Sequence, residues 1–170
     1  MIKLVFAIFL ACIFGQASAE KVENELDGFR SIKWGDNIKS NIKEMKFVGK
    51  SKDKKYYTRK GDKMSIGGAD LALIMYGYYQ ERLATVKIVT DTESNKYALL
   101  KAFESQFGNP YRPNEFIEYF LWRGEITTIF FDCSEPSAIS SCRVTLDSRV
   151  LEDEIEKAGK KAAEEAKKDF

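Results

Sequence analysis

The sequence contains no histidine in its 170 residues. Histidine has the side-chain pKa closest to neutral pH and is the commonest zinc ligand among the side chains, so its absence excludes Ser–His–Asp and Cys–His catalytic arrangements. Gly-x-Ser-x-Gly elbows, phosphate-binding glycine loops and clusters of metal-ligating residues are also missing from the sequence. We therefore predict no cofactor and no metal site, and we expect a protein that is not an enzyme.

A hydrophobic run long enough to cross a bilayer is missing too, because a spanning helix needs about 20 apolar residues. The apolar stretch at residues 4–14 follows Lys3 and precedes the small residues "ASA" at 17–19. This order is typical of a secretory signal peptide, so we predict cleavage after residue 19 and a periplasmic or secreted mature protein with no transmembrane segment. Cys12, in "FLAC", leaves lipidation as an alternative.

An excess of charge of either sign is missing from the mature chain. Lys3 is the only charged residue among the first 19, so 27 basic residues less one balance the 26 acidic residues in the remaining 151 positions. Such a chain fits one domain of ordinary size. Its neutrality gives no indication of a general attraction to nucleic acid or anionic membranes, and export disfavours a nucleic-acid partner.

Cysteine is scarce, with three residues in the whole chain. Removal of Cys12 with the signal peptide leaves Cys133 and Cys142, an even pair in an oxidising compartment. The turn-rich stretch "SEPSAISS" between them separates two strand-like runs. We predict a structural disulfide that staples this hairpin, with two free thiols as the alternative.

Two helices are predicted in the main part of the chain. In "GDNIKSNIKEM", Asp36 can cap a short helix whose apolar stripe is Ile38, Ile42 and Met45. In "DTESNKYALLKAFESQFGNP", Asp91 or Thr92 can cap a longer helix, which Gly108 ends. Its predicted buried face consists of Tyr97, Leu100, Phe103 and Phe107.

Strand signals follow each predicted helix. The first series is "KKYYTRK" and "KMSIG" around a hairpin turn at residues 61–62, then "LALIMYGYY" and "LATVKIVT"; the second is "FIEYFLWR", "ITTIFFD" and "CRVTLD". Short turns between them favour antiparallel pairing.

A heptapeptide pattern occurs twice, as "YYTRKGD" at 56–62 and "YFLWRGE" at 119–125. Together with the repeated helix-then-strands order, it predicts a tandem duplication, although chance resemblance is the alternative. The predicted fold class is α+β: two tandem helix-then-antiparallel-sheet units, about 28–90 and 91–148, are packed as one domain over residues 20–148. Residues 149–170 are predicted to form a charged C-terminal helical tail, for which partner binding is an alternative to simple solvation.

The stretch "LLKAFESQFGNP", followed by "YFLWRG" and "TTIFFD", resembles the helix, the "FGxP"-type stop and the Trp-bearing strand of two groups of exported modules. These are the small lipoproteins of the BamE/SmpA type and the β-lactamase-inhibitory-protein-like modules. The opening "GFRSIKWGD" is similar to the start of uncharacterised exported bacterial proteins. The resemblance implies tandem helix–sheet units and a non-catalytic binding function.

Two sets of residues are candidates for a binding surface. Several strands carry large apolar residues on both faces, which indicates that some aromatics are available to a partner, although completion of an ordinary core is the alternative. The basic stretch at residues 46–63, with eight basic and two acidic residues, could meet lipid phosphates or an acidic protein, although lysines also keep a sheet edge soluble. The candidates are Tyr56, Tyr57, Tyr76, Tyr78, Tyr119 and Trp122, with Lys54, Lys55 and Arg59 from the basic stretch.

The favoured interpretation is a non-catalytic, exported binding protein of the bacterial cell envelope that contacts another protein or an envelope component. The sequence identifies neither the partner nor the oligomeric state. The alternative is a small-molecule binder or a hydrolase that uses unmarked carboxylates such as Asp62 and Asp70.

Overall fold

The structure, a computed structural model, describes residues 22, 24–133 and 141–169. The predicted signal peptide and Cys12 lie outside the described residues. In chain order the strands are β1 (Gly28–Phe29), β2 (Ile32–Lys33), β3 (Met45–Ser51), β4 (Lys54–Arg59), β5 (Ser65–Ile66), β6 (Ala69–Asp70), β7 (Leu73–Tyr79), β8 (Arg82–Thr90), β9 (Tyr119–Arg123), β10 (Thr127–Asp132) and β11 (Cys142–Ser148). The helices are α1 (Glu93–Phe107) and α2 (Arg149–Ala166), and short 3-10 helices cover Ile38–Ser40 and Lys167–Asp169.

One antiparallel sheet of seven strands organises the described part of the chain. Its strand order is β3-β4-β7-β8-β11-β10-β9, and β1-β2 and β5-β6 form separate two-stranded ribbons. The central strands β8 and β11 are rich in Val, Ile, Leu and Thr, which suit a pleated and half-buried surface. Antiparallel pairing is therefore confirmed.

One face of the sheet, called the core face here, is closed by α1. The side chains on the core face come from all the inner strands and are almost fully buried. The register places Val86 beside Tyr76 and Leu146, and Ile129 beside Leu146 and Trp122. From α1, the Phe103 ring packs against the rings of Trp122 and Phe131, with centroids 6.0 and 6.1 Å away.

The predicted helix over residues 91–108 is confirmed as α1. The Asn95 N–H donates to the Thr92 hydroxyl, which caps the helix, and Gly108 ends it with a φ of 79°. The predicted buried face is only half right, because Phe103 and Phe107 are buried but Tyr97 is exposed. Lys96 and Leu99 are buried instead. In the first half of the helix, the buried positions thus lie one residue before the predicted ones.

The predicted fold class, two tandem helix-then-sheet units, is wrong. The described residues contain two α-helices, one central and one C-terminal, and the strands of both supposed units join a single sheet through the β8–β11 pair. The first predicted helix is reduced to the 3-10 turn at Ile38–Ser40, and Met45 begins an edge strand. A helix of two turns is marginal in water, and pairing with β4 competes successfully for its last residues.

The predicted hairpin at residues 61–62 is also wrong, because β4 pairs with β3 and β7 and not with the segment that follows it. Residues 60–72 connect β4 to β7 outside the seven-stranded sheet, and the β5–β6 ribbon within this connection packs on α1. A Cβ on Gly67 would lie 2.2 Å from the Ala102 Cβ, so this ribbon approaches the helix as closely as glycine allows. The second copy of the heptapeptide does form a hairpin, between β9 and β10.

The opposite face of the sheet, called the open face here, is covered differently. The predicted C-terminal helix is present as α2, and its first two turns pack Leu151 and Ile155 on Tyr79 and Ala84. Residues 156–168 of this helical segment are exposed. No helix in the described ranges has the length and apolar character needed to cross a bilayer.

The predicted disulfide between Cys133 and Cys142 is confirmed, with an S–S distance of 2.05 Å. It joins the end of β10 to the start of β11, and the loop at 134–140 lies outside the described residues. The bond is compatible with an extracellular or periplasmic location.

Candidate functional site

A groove of about 360 Å³ lies on the open face where α2 meets the sheet. Because side chains alternate between the two faces of a strand, β4, β8 and β11 each send polar residues into it. The groove residues are Ser51, Lys52, Asp53, Lys54, Tyr56, Thr85, Lys87, Arg143, Thr145, Asp147, Glu152 and Ile155. We call this the open-face groove.

The floor of the groove is formed by the ring of Tyr56 above Gly77. Gly77 pairs with Tyr56 on one side and with Thr85 on the other. A Cβ at Gly77 would lie 2.3 Å from the Thr85 Cγ2 and 2.8 Å from the Tyr56 Cε1. Glycine is therefore required here, because it lets the tyrosine ring lie flat against the backbone of β7.

Lys87 extends across this floor. Its Nζ lies 4.7 Å from the centroid of the Tyr56 ring, a cation–π contact. Burial lowers the pKa of Lys87, and the positive charges of Arg143 and Lys54 lower it further, while Asp147 acts in the opposite direction. The lysine is thus held in the groove by an aromatic face and partly stripped of water.

Asp147 comes from the neighbouring strand. It pairs with Thr85 on β8, and Lys87 pairs with Thr145, so Lys87 and Asp147 are diagonal neighbours on the same face. Burial raises the pKa of the Asp147 carboxyl and the Glu152 carboxylate adds to this, whereas a hydrogen bond from the Thr85 side chain and the charges of Lys54 and Lys87 lower it. Among the residues that the structure describes, neither Lys87 nor Asp147 has an ion-pair partner within 4.0 Å.

The rim of the groove is fixed by an ion pair between β4 and α2. The Lys54 ammonium contacts the Glu152 carboxylate, and these side chains are 15% and 36% exposed. Arg82 and Glu154 form a second pair at 2.6 Å between β8 and the same helix. These pairs hold the first turns of α2 against the open face, and neither of them includes Lys87 or Asp147.

This arrangement can hold a polar molecule of both charges. An ammonium and a carboxyl group that have lost water without gaining an ion-pair partner carry a free-energy cost, which a ligand with matching charges would reduce. Clustered, perturbed titratable groups in a cleft are typical of functional sites. In the described ranges, no cluster of three or more Cys, Asp or Glu side chains could hold a metal ion.

Four of the six aromatics predicted for a binding surface are buried: Tyr56, on the open face, is 9% exposed, and three others belong to the core cluster. Tyr76, Tyr78 and Trp122 are 0%, 2% and 2% exposed, so the prediction that they are available to a partner is wrong. The Tyr76 hydroxyl donates to Asp62 Oδ2 at 2.7 Å, and the Trp122 indole N–H donates to the Gly108 carbonyl at 2.8 Å. Burial raises the pKa of Tyr78 to about 12. These three side chains are buried because the register of the strands places them on the core face.

The other predicted residues divide between the two faces. Tyr56 and Lys54 lie in the open-face groove, where the structure brings them together. Tyr119 is half-buried on the open face of edge strand β9, where its ring is 6.3 Å from that of Phe130. The structure does not bring it to the groove, and a binding role for it stays a prediction.

Tyr57, Lys55 and Arg59 lie on the core-face side of β4. Tyr57 is half-buried between the rings of Phe47 and Tyr78, and Lys55 is exposed. The Arg59 Nε donates to the Glu44 carboxylate at 2.8 Å. Their predicted binding roles stay predictions.

The proposed carboxylate pair is not a site in this structure. Asp62 is bound by Arg30 and by the Tyr76 hydroxyl, and its side chain is 6% exposed. Asp70 is exposed on β6. Asp62 is thus a structural residue that ties the 60–63 turn to the core.

Sequence reasoning missed Lys87, Asp147, Thr85 and Glu152. The local signal was present, because "TVKIVT" and "VTLD" each place one charged residue among apolar and threonine residues. Their meeting depends on the pairing of β8 with β11, which no local pattern indicates.

No protein-family model, curated protein or solved structure matches the chain. The resemblance to exported lipoproteins and inhibitory modules therefore stays a prediction. The tandem helix–sheet units that it implied are absent from the part of the chain that the structure describes.

Proposed function

We propose that this chain is a non-catalytic, exported binding protein of the cell envelope and that the open-face groove holds its ligand. The observation that supports this is the presence of Lys87 and Asp147 side by side on a half-buried sheet face, without ion-pair partners in the described residues. A purely structural sheet would place apolar or paired side chains there.

The ligand class is a small zwitterion of the amino-acid or dipeptide type. Its carboxylate would bind Lys87, and its ammonium would bind Asp147. The volume of about 360 Å³ lies within the roughly 300–1,000 Å³ that small-molecule sites occupy. The Tyr56 ring offers the aliphatic part of the ligand an apolar floor.

Calorimetric titration with free amino acids and dipeptides tests the proposal. The best dipeptide is then compared with its N-acetylated form, which lacks the ammonium, and its C-amidated form, which lacks the carboxylate. We expect Asp147→Asn to weaken the unmodified ligand roughly tenfold and to leave the acetylated form unaffected. Lys87→Met should likewise weaken the unmodified ligand roughly tenfold and leave the affinity for the C-amidated form unaffected.

Lys55→Met and Asp153→Asn are the matched controls, because both residues are exposed and lie outside the groove. They should leave affinity unchanged. The proposal fails if no zwitterion binds, or if the control variants weaken binding as much as the groove variants do.

Hydrolysis is the second candidate function, because two carboxylates, Asp147 and Glu152, share the groove and burial raises the pKa of the first. Two carboxyl groups in one cleft are the kind of pair that general acid–base catalysis uses. Mass spectrometry of the incubated best dipeptide distinguishes the two functions. Cleavage that disappears in Asp147→Asn would identify a hydrolase, and an intact ligand supports binding alone.

A further inference from the structure

A second concave region lies on the core-face side of the molecule and is independent of the open-face groove. An apolar groove of about 550 Å³ runs between the C-terminal half of α1, the β5–β6 ribbon and the segment around β1. Its apolar lining is the outer edge of the core, where Ile66 is half-buried and Phe29, Phe103, Phe107 and Leu146 are 1–7% exposed. Lys63 and Arg30 stand at one end of this groove.

The same two residues also line a basic basin. It is formed by Arg30, Lys43, Glu44 and residues 59–63, and it adjoins the apolar groove at Arg30 and Lys63. A continuous surface therefore passes from aromatic and aliphatic side chains to cationic ones.

The charge of the basin is not neutralised internally. Arg59 pairs with Glu44 at 2.8 Å and Arg30 pairs with Asp62, which uses both acidic residues of the basin. Lys43, Lys60 and Lys63 are exposed and have no ion pair within the described ranges. Three uncompensated positive charges thus surround the end of the apolar groove.

The basin is also held rigidly. The Lys60 N–H donates to the Glu44 carbonyl at 2.8 Å, and the Tyr76 hydroxyl donates to Asp62 at 2.7 Å from the core. Arg30 contacts both Asp62 and the Lys63 carbonyl. The lysines are therefore presented from an anchored turn, which reduces the ordering cost of binding an anion.

We propose that this continuous surface binds a monomeric anionic lipid, with a single acyl chain in the apolar groove and a phosphate headgroup in the basic basin. The charge of the basin selects an anion, and the adjoining apolar lining selects a chain attached to it.

The test measures binding of myristoyl lysophosphatidylglycerol below its critical micelle concentration, by titration calorimetry on the full mature chain. Tetradecyl maltoside supplies the same chain without charge, and glycerol phosphate supplies the head without the chain. We expect 1:1 binding of the lipid, at least roughly tenfold weaker binding of either fragment, and weakening by added salt.

Two pairs of variants locate the site. Gln106→Trp fills the apolar groove from an exposed position of α1 and should weaken the lipid roughly tenfold, while Lys101→Trp, outside the groove, should not. Lys60→Gln with Lys63→Gln removes two basin charges and should weaken it comparably. Lys46→Gln with Lys50→Gln removes the same charge from exposed positions of β3 and should leave affinity unchanged.

Several results would overturn the proposal. Equal binding of the maltoside would indicate unspecific apolar adsorption, and equal binding of glycerol phosphate would indicate a site for a free anion only. Unchanged affinity in Gln106→Trp, or equal losses in the two lysine pairs, would remove the site from this surface. Thermal unfolding of each variant confirms that the fold is retained.

Discussion

Replacement of Trp122 by alanine separates a core role for this residue from the binding role that its sequence context suggested. The side chain is 2% exposed, packs against Phe103 and donates its indole N–H to the Gly108 carbonyl at 2.8 Å. It therefore joins edge strand β9 to the C-terminal end of α1. Alanine would leave a cavity between the helix and the sheet and an unpaired carbonyl at the helix end.

The expected loss follows from the buried area. A tryptophan buries about 150–250 Å², which at about 25 cal/mol per Å² corresponds to about 4–6 kcal/mol for the whole side chain. Measured substitutions of this kind cost about 3–5 kcal/mol. At about 2–4 °C per kcal/mol for a chain of this size, the midpoint of thermal unfolding should fall by roughly 6–20 °C.

Tyr119→Ala is the matched control, because Tyr119 lies on the same strand with its side chain half-buried on the open face. It should cost no more than about 1 kcal/mol in the free energy of unfolding. Both variants are compared by urea denaturation and by scanning calorimetry. Equal losses in the two variants, or a loss below about 1 kcal/mol for Trp122→Ala, would refute the assignment of Trp122 to the core.

Three further predictions address the remaining parts of the fold. Replacement of Cys133 and Cys142 by serine opens a loop with a sequence separation of 9 and should lower the free energy of unfolding by about 2–3 kcal/mol, so an unchanged urea midpoint would contradict a stabilising role for the bond. Gly77→Ala should lower the free energy of unfolding by about 1–3 kcal/mol, because Thr85 and Tyr56 occupy the space of the new methyl group. Gly159→Ala, on the exposed part of α2, should raise it by about 0.5–1 kcal/mol. If chemical denaturation gave both variants a change of the same sign, the packing of Tyr56 on Gly77 would be contradicted. Burial raises the folded-state pKa of Asp147 above its ordinary 3.8, so stability falls as the pH rises from about 3.8 through that folded-state pKa and stays lower above it. Asp147→Asn should therefore be more stable than the parent at pH 7, and the difference should close as the pH falls toward about 4; a pH-independent difference would show that the carboxylate is not desolvated.

Features governed by neighbouring residues could be predicted from the sequence. The bounds of α1 follow from the Thr92 cap and the Gly108 stop, and most strands of the sheet follow from alternating β-branched and aromatic residues. The disulfide follows from cysteine number and the turn-rich stretch between Cys133 and Cys142. Each of these signals lies within about fifteen residues of the structure that it specifies.

Pairing between distant segments could not be predicted in this way. β4 turns away from the segment that follows it and pairs with β7, because residues 60–72 can fold onto α1 instead. The same limit applies to burial. "LALIMYGYY" is apolar on both faces, so the sequence does not indicate which face the core covers. Tyr76 and Tyr78 are therefore predicted to be accessible, whereas the structure buries them.

The buried charges of the protein provide an internal comparison for the open-face groove. Asp62, with a side chain that is 6% exposed, is paired with Arg30, and Lys96, at 10%, is paired with Glu118 at 3.0 Å. Both pairs connect segments far apart in the chain, as structural ion pairs do. Elsewhere in the described residues, the chain therefore compensates charge that it removes from water.

Lys87 and Asp147 depart from this rule on the same molecule. Burial shifts both pKa values toward the neutral forms, and no ion pair within 4.0 Å compensates either group in the described part of the chain. Apolar side chains at these two positions would complete the sheet face at lower free energy. Two charges without ion-pair partners beside an aromatic floor lower the stability of the free protein, and the proposed zwitterion would return that free energy on binding. The gain in stability of Asp147→Asn and its loss of zwitterion binding should therefore occur in one variant.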